Sequence, residues 1–215
     1  SFVKVQEVIK GGVLGRIVQI RMMSHQFARR WDWQTLKEFG GGSLNNTGPH
    51  LIDQALQLFG SSEPKLFCHM DRALTSGDAE DHVKVILQGP DAPLVEVEVT
   101  SACAFNDYAW LVMGTSGSLR GNSEQLDWQY VDFSALPAPA VDPHPTPGRS
   151  YNSEQLPWQN DRWQLPAETR GQFTRVRFYE DLYKTLSQGQ PLVITPSSVR
   201  RQIDIIERCH AMSGI

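Results

Sequence analysis

Cysteine is scarce: Cys68, Cys103 and Cys209 are the only three in 215 residues, and no C-x-x-C spacing links them. This argues against a disulfide framework or a zinc knuckle, and the three read as buried, inert thiols. Long apolar runs are missing too. Nothing approaches the roughly 20 residues that cross a bilayer, and no charged-then-apolar leader opens the chain, so a soluble, cytoplasmic protein with no membrane partner is expected. A basic field is absent: the net charge of -4 at pH 7 disfavours nucleic acid as a partner. No metal is expected. Cys68 points away from His69 and Asp71 in a strand, and Asp78, Glu80, Asp81 and His82 read as a solvated acidic turn. No nucleophile elbow or Ser-His-Asp arrangement is present. Gly114-Thr115-Ser116-Gly117-Ser118 lacks the Lys-Ser/Thr of a phosphate loop and reads as a hairpin turn. A starting methionine is also lacking, and the chain is expected to be a portion of a longer protein.

What is present concentrates at Gly40 to Asp53, where three glycines precede Leu44, Asn45, Asn46, Thr47, Gly48, Pro49, His50 and a helix carrying Leu51, Ile52, Ala55, Leu58 and Phe59. Glycines let a ligand approach the main chain closely. Asn46, His50, Asp53, Gln54 and Gln57 lie three or four apart and share one helix face. His50 is the leading chemical residue, because imidazole exchanges a proton near neutral pH and also hydrogen-bonds hydroxyls; its bland alternative is a histidine that caps or packs the helix. Asp53 either orients His50 or pairs with Arg29 or Arg30. Just upstream, Arg29-Arg30-Trp31-Asp32-Trp33-Gln34 packs charge and indole into six residues, a composition suited to a binding loop.

Around this stretch, Phe2, Val5, Val8 and Ile9 give an opening helix that Gly11-Gly12 breaks. Gly15 to Gln26 alternates as a strand, with Val18, Ile20 and Met22 on one side. Four further strands are expected at 65–75, 81–88, 94–104 and 108–113. Gly89 to Pro93 and Asn106-Asp107 are turn chemistry, so neighbours should pair antiparallel as a meander. Val95, Val97 and Val99 face one way and Glu96 and Glu98 the other, leaving one sheet face polar or covered only by a partner. Seven prolines between 134 and 170 interrupt regular structure and predict a long surface excursion. Within it Asn152 to Gln159 repeats Asn122 to Gln129, with coincidence or local duplication favoured over a paired aromatic surface. Phe173, Val176, Tyr179, Leu182, Tyr183 and Leu186 predict an apolar helix stripe. Thr195-Pro196 caps a last helix with Val199, Ile203, Ile206 and Cys209 along one stripe.

The pattern Gly-Gly-Gly-x-Leu-x-x-x-Gly-x-His-x-Ile-Asp at Gly40 to Asp53 resembles the substrate domain of the Gfo/Idh/MocA oxidoreductases. Gly15-Arg16-Ile17, Gly114 to Leu119, Phe178-Tyr179 and Thr195-Pro196-Ser197 follow in family order, so the resemblance covers nearly the whole chain. It implies an α/β (α+β type) fold: one domain, 1–215, with a large, mainly antiparallel open-faced sheet, helices on one face, and homo-oligomer formation through the sheet. It implies hydride transfer between NAD or NADP and a sugar, polyol or related carbinol. On that likeness His50 is the acid/base or hydroxyl contact, and Asn46 stands where many members place an aspartate. An amide there orients a ligand but cannot accept the proton. Asn45 joins Asn46 as a hydrogen-bond donor, Arg29, Trp31 and Trp33 as pocket walls, and Gln34 replaces a family arginine at a cofactor contact. No G-x-G-x-x-G occurs, and the family's Glu-Lys-Pro segment is missing. The Rossmann domain is therefore absent from this chain, which is expected to bind no cofactor and to be inactive alone. Two rival readings stand beside the dehydrogenase: a non-catalytic carbohydrate-binding or assembly domain, and an NAD-dependent glycosidase of the same family.

Overall fold

Val83, Val85, Val95, Val97 and Val99 alternate with polar residues, and that period of two commits the region to strands with one buried face. The computed structural model describes residues 1–105, 108–145, 153–167 and 175–214. Its helices are α1 (Phe2–Lys10), α2 (Ser43–Asn46), α3 (Gly48–Phe59), α4 (Arg175–Gln188) and α5 (Pro196–Ser213). Its strands are β1 (Ile17–His25), β2 (Lys65–Asp71), β3 (His82–Gln88), β4 (Leu94–Thr100), β5 (Trp110–Gly114), β6 (Gly117–Gly121), β7 (Gln125–Tyr130) and β8 (Gln159–Gln164). They form one sheet in the order β2-β3-β4-β1-β5-β6-β7-β8. All neighbours are antiparallel except β1 and β4, which run parallel.

The expected meander holds for β2-β3-β4 and fails after it, because β1 from the start of the chain is inserted between β4 and β5. The physical reason is burial on both flanks. Ile20 sits between Val95 and Val112, and Met22 between Val97 and Trp110, so the most apolar positions of β1 fill the centre of the sheet. Val18, expected in phase with them, is 47% exposed because the register shifts between Ile17 and Gln19. The Asn106-Asp107 link lies outside the described residues. Thr115-Ser116 joins β5 to β6 as the expected hairpin, and the turn after β3 places Asp91 at φ 56°.

One sheet face is covered by α1, α3 and α5. Val5 and Val8, Ile52, Ala55, Leu56 and Phe59, and Ile205, Ile206 and Cys209 pack there with the inward residues of the strands. Burial of such side chains, at roughly 25 cal/mol per Å² of apolar surface, is the main force holding the layers together. Thr195 caps α5 as its sequence predicts, accepting from the Ser198 amide at 3.1 Å while Ser198 Oγ accepts from the Thr195 amide at 3.2 Å. Only the C-terminal half of α5 is buried, since Val199 and Ile203 are each 43% exposed. The α4 stripe also departs from expectation: Tyr179, Tyr183 and Leu186 are exposed rather than packed, and Phe173 lies outside the described residues. None of the described helices is long and apolar enough to cross a membrane.

In its described residues the proline-rich excursion is largely exposed and irregular, but it is not free of regular structure. Between Pro157 and Pro166 the chain has room for β8, which pairs with β7 as the sheet's edge. The two repeat copies are not equivalent there: Trp128 is buried in β7, whereas Trp158 precedes β8 and is half exposed. Asn152, which opens the second copy, lies outside the described residues.

The other sheet face is polar, as the valine-glutamate alternation requires. Lys84 Nζ bridges Glu96 and Glu98 at 2.8 Å each, Arg21 reaches Glu96 at 3.3 Å, and His25 Nε2 lies 2.9 Å from Glu98. For Glu98, partial burial raises the pKa, but the Lys84 hydrogen bond and charge, with His25, outweigh it and hold the carboxyl below its ordinary value. Burial likewise pulls Lys84 down and the two glutamates push it up further, so its net shift is upward. A depressed acid stabilises the fold above its unfolded pKa and loses that contribution as pH falls through the folded value. A raised lysine contributes below its unfolded pKa and loses it as pH rises through the folded one. Lys84→Met is therefore expected to cost about 1–2 kcal/mol at pH 7. In thermal melts between pH 7 and 3 the gap from wild type should shrink as the acid limb is reached; a gap independent of pH would refute the assignment.

Candidate functional site

At the end of the sheet where the parallel pair β1 and β4 finishes, the segments that follow these two strands and the loop joining β2 to β3 zip together. Gln26 and Ala28 donate backbone N–H groups to Thr100 and Ser101, and Ser76 and Ala79 donate to Arg30 and Thr35. The Lys37 amide donates to the Asp78 carboxylate at 2.9 Å. These bonds turn residues 26 to 42 and 72 to 81 into one platform beneath the glycine run.

The glycines serve this packing. Gly42 has φ 111°, and a Cβ on it would lie 2.4 Å from both carboxylate oxygens of Glu80; one on Gly41 would lie 2.4 Å from the Gln34 carbonyl. Glu80, 4% exposed, accepts from the Leu44 amide at 2.9 Å, and its own carbonyl accepts from Ser43. Gly42 has no side chain to cap α2, so the Glu80 carboxylate from the neighbouring loop takes that role at the positive end of the helix. Asp81 is also buried and accepts from the Ala73 and Leu74 amides at 2.6 and 2.9 Å. The expectation of a solvated acidic turn is thus corrected: these two carboxylates are interior because backbone N–H groups converge on them, for Glu80 from α2 and for Asp81 from the start of its own loop. No sequence signal marks them, since backbone amides at any separation look alike in a sequence.

On this platform α2 and the start of α3 present the candidate residues. Asn46 is exposed and exchanges hydrogen bonds with Gln34, its Nδ2 reaching Oε1 at 3.3 Å. Gln34 also accepts from Arg30, which forks onto Asp32 at 2.8–3.0 Å. The Arg30 hydrogen bond holds Asp32 below the usual carboxylate range, and the Gln34 amide adds to it. Arg30, read in the sequence as part of a binding loop and as a candidate partner for Asp53, thus anchors Gln34 and Asp32 instead. Asn45 turns the other way, donating to the Gly40 and Gly41 carbonyls at 3.3 Å and meeting His210 Nε2 of α5 at 2.9 Å. His50 is exposed one turn beyond Asn46, and its ring has no hydrogen-bond partner among the described residues. Asp53 meets neither expectation: it accepts from Gln57 at 2.8 Å, the i, i+4 neighbour, while Arg30 is engaged by Asp32. Trp31 and Trp33 are 81% and 60% exposed, so neither is a core anchor, and Arg29 is exposed beside them.

The enclosed space here is small, about 30 Å³, lined by Arg30, Gln34, Gly42, Asn46, Thr75 and Glu80 among others. That is room for a water, not a sugar. Asn46, His50, Trp31 and Trp33 all expose surface outside it. No group of three or more His, Cys, Asp or Glu among the described residues is placed to hold a metal.

This fold and this surface define a class. The sequence profile of the GFO/IDH/MocA C-terminal domain matches residues 2–120, and the chain belongs to that oxidoreductase family. An uncharacterised oxidoreductase of Schizosaccharomyces pombe is 31% identical over 128 residues, covering 55% of this chain and 34% of that protein. Among solved structures, an NAD-binding protein from Listeria innocua superimposes with a TM-score of 0.73 at 20% identity, over 99% of this chain and 61% of that one. The WlbA dehydrogenase from Bordetella pertussis, solved in complex with NADH and UDP-GlcNAcA, superimposes with a TM-score of 0.62 at 15% identity, over 100% of this chain and 58% of that one. At such identities the structures establish the fold. The chain spans about a third of the length of the curated relatives it matches.

Proposed function

We propose that these 215 residues act as one substrate-binding and assembly domain of an NAD(P)-dependent oxidoreductase whose substrate is a sugar, polyol or related carbinol. The observation that carries this reading is the display of Asn46 and an exposed His50, unpartnered among the described residues, at one polar surface, on a glycine loop locked by a buried Glu80, in a chain of this family. Around Gly42 the described residues leave no room for a dinucleotide. The enclosed space beside Gly42 is water-sized, and no glycine-rich strand-to-helix turn is present. The cofactor would therefore be held by a dinucleotide-binding domain, and the chain's own part is to bind and orient the substrate.

In this reading His50 holds or accepts the proton of the reacting hydroxyl. Asn46, fixed by Gln34, donates to a neighbouring hydroxyl, while Asn45, held by His210, buttresses the loop and adds a second amide. Trp31 and Trp33 supply apolar faces for a sugar ring, with Arg29 at the rim. Gln34 is the proposed cofactor contact. The polar sheet face, with its half-buried Lys84, Glu96 and Glu98 and the exposed Phe67, is the surface for a second copy. The cytoplasm is the compartment assigned.

One observation favours a second reading: the amide at Asn46 cannot take a proton, which fits a domain that binds carbohydrate without turnover. Full-length protein containing this chain, supplied with NAD⁺ or NADP⁺ and a panel of sugars, polyols and sugar nucleotides, separates the two. Reduced nicotinamide should accumulate with at least one substrate. Binding without reduction indicates the non-catalytic domain, and glycoside cleavage with unchanged cofactor indicates the glycosidase.

A further inference from the structure

On the side away from Lys84 and Glu96, the polar sheet face carries a groove of about 770 Å³ whose floor is made by β5, β6, β7 and β8. Cross-strand pairing lines up Glu96, Arg21, Leu111, Arg120, Asp127 and Arg162, one row of side chains that runs from β4 to the edge of the sheet. Along that row the charges pair at both ends. Arg21 meets Glu96 at 3.3 Å, and Arg162 meets Asp127 at 2.5 Å. Arg120 is left over. Asp127, directly opposite it, also accepts from Gln125 at 2.8 Å; that bond and the one from Arg162 hold its carboxyl below the usual range, with the charges of Arg162 and Arg120 adding. The exposed Arg120 guanidinium lies instead over the Tyr108 ring, 5.2 Å from its centroid, and makes no hydrogen bond or ion pair among the described residues. Stacking holds a guanidinium while leaving its edge N–H groups free for a planar anion. The next row is hydroxyl and amide: Ser118, Gln129 and Asn160 are cross-strand neighbours, and Gln129 Nε2 donates to Asn160 Oδ1 at 2.7 Å. Trp158, half exposed, walls the far end. At about 3.3 Å per residue and 4.8 Å per strand, Trp158 lies roughly 16 Å from Arg120.

We propose that this groove is a binding site for an acidic oligosaccharide, with Arg120 receiving a sugar carboxylate and Trp158 stacking on a neighbouring ring. The lining selects the ligand. One guanidinium without a carboxylate calls for one anionic group, Ser118 and the two amides offer donors and acceptors suited to hydroxyls, and the indole offers an apolar face. The separation of Arg120 from Trp158 suits two linked rings rather than one. The volume of about 770 Å³ lies within the range of small-molecule sites. A second copy of the chain is the poorer occupant, because a concave polar floor lacks the apolar centre of a stable interface between proteins. The groove lies on the sheet face opposite α3, the helix that carries His50. It is therefore separate from the substrate surface and stands whether or not that surface is catalytic.

Calorimetric titration of the chain with digalacturonate, with the neutral disaccharide galactobiose and with tetraglutamate tests the assignment. Digalacturonate should bind about 10–100-fold more tightly than galactobiose, the worth of hydrogen bonds to a charged group. Tetraglutamate, which has the charge but no ring, should not bind measurably. Arg120→Met should abolish the preference for the acidic sugar, and Arg120→Lys should keep part of it. Trp158→Ala should weaken both sugars by about tenfold. Both positions are exposed, so thermal melts of these variants should match the wild type. Asn46→Ala, at the substrate surface, should bind digalacturonate as the wild type does. The proposal is overturned if neither sugar binds, if tetraglutamate binds as well as digalacturonate, or if Asn46→Ala rather than Arg120→Met removes the binding. It is equally overturned if sedimentation without sugar shows Arg120→Met or Trp158→Ala dissociating a dimer, the mark of a second copy seated in the groove.

Discussion

In full-length protein, His50→Ala should lower kcat by about 10²–10⁴-fold, the range in which a positioned acid/base acts, and leave the thermal midpoint nearly unchanged. The second half of that expectation follows from the structure. The imidazole is exposed and has no hydrogen-bond partner among the described residues, so its removal should alter stability by no more than about 0.5 kcal/mol. A histidine that caps or packs α3 would behave in the opposite way, with stability lost and turnover kept. Nicotinamide reduction and thermal melts on the same preparation separate the two, and unchanged kcat in a folded His50→Ala variant would remove His50 from the site.

The largest expected effect on the fold is at Gly42. Its φ of 111° suits glycine, and an added Cβ would meet both oxygens of the Glu80 carboxylate at 2.4 Å. Backbone strain and collision with a buried charge combine, and Gly42→Ala should cost about 2–4 kcal/mol, read as a fall in the urea midpoint. Gly40 provides the control: its φ is 69°, and nothing lies within 4 Å of the place its Cβ would take. Gly40→Ala should therefore cost only about 1–2 kcal/mol, the left-handed penalty alone. Equal losses would mean that conformation, and not packing on Glu80, makes glycine necessary at 42. Since Glu80 caps α2, the Gly42 variant should also loosen Asn45 and Asn46, and ligand affinity should fall with stability.

What the sequence displayed was local. The helix beginning at Gly48 follows from its apolar spacing, the start of α5 from Thr195-Pro196, the β5-β6 hairpin from its Gly-flanked turn, and the two-faced β4 from alternating valine and glutamate. Each depends on neighbours within a few residues. The insertion of β1 beside β4 was illegible because strand order is decided by how Ile20 and Met22 are buried on both flanks, and the residues that bury them lie some 75 to 90 positions later. The same holds at the site. Asn46 and His50 were readable from helical spacing, but the Asn46–Gln34 pair spans a loop whose shape comes from backbone bonds to residues 76 to 80. Glu80 and Asp81 looked like surface charge because an isolated carboxylate carries no mark of the amides that will enclose it.

The central claim is that the surface formed by Asn46 and His50 receives the reacting end of the substrate. A crystal structure of the full-length protein with its nicotinamide cofactor and a turned-over sugar or polyol tests it most directly. The reacting hydroxyl should lie within about 3 Å of a His50 ring nitrogen, with the Asn46 amide on an adjacent hydroxyl and the sugar ring against Trp31 or Trp33. A ligand bound elsewhere in the protein, with His50 left in solvent, would contradict it.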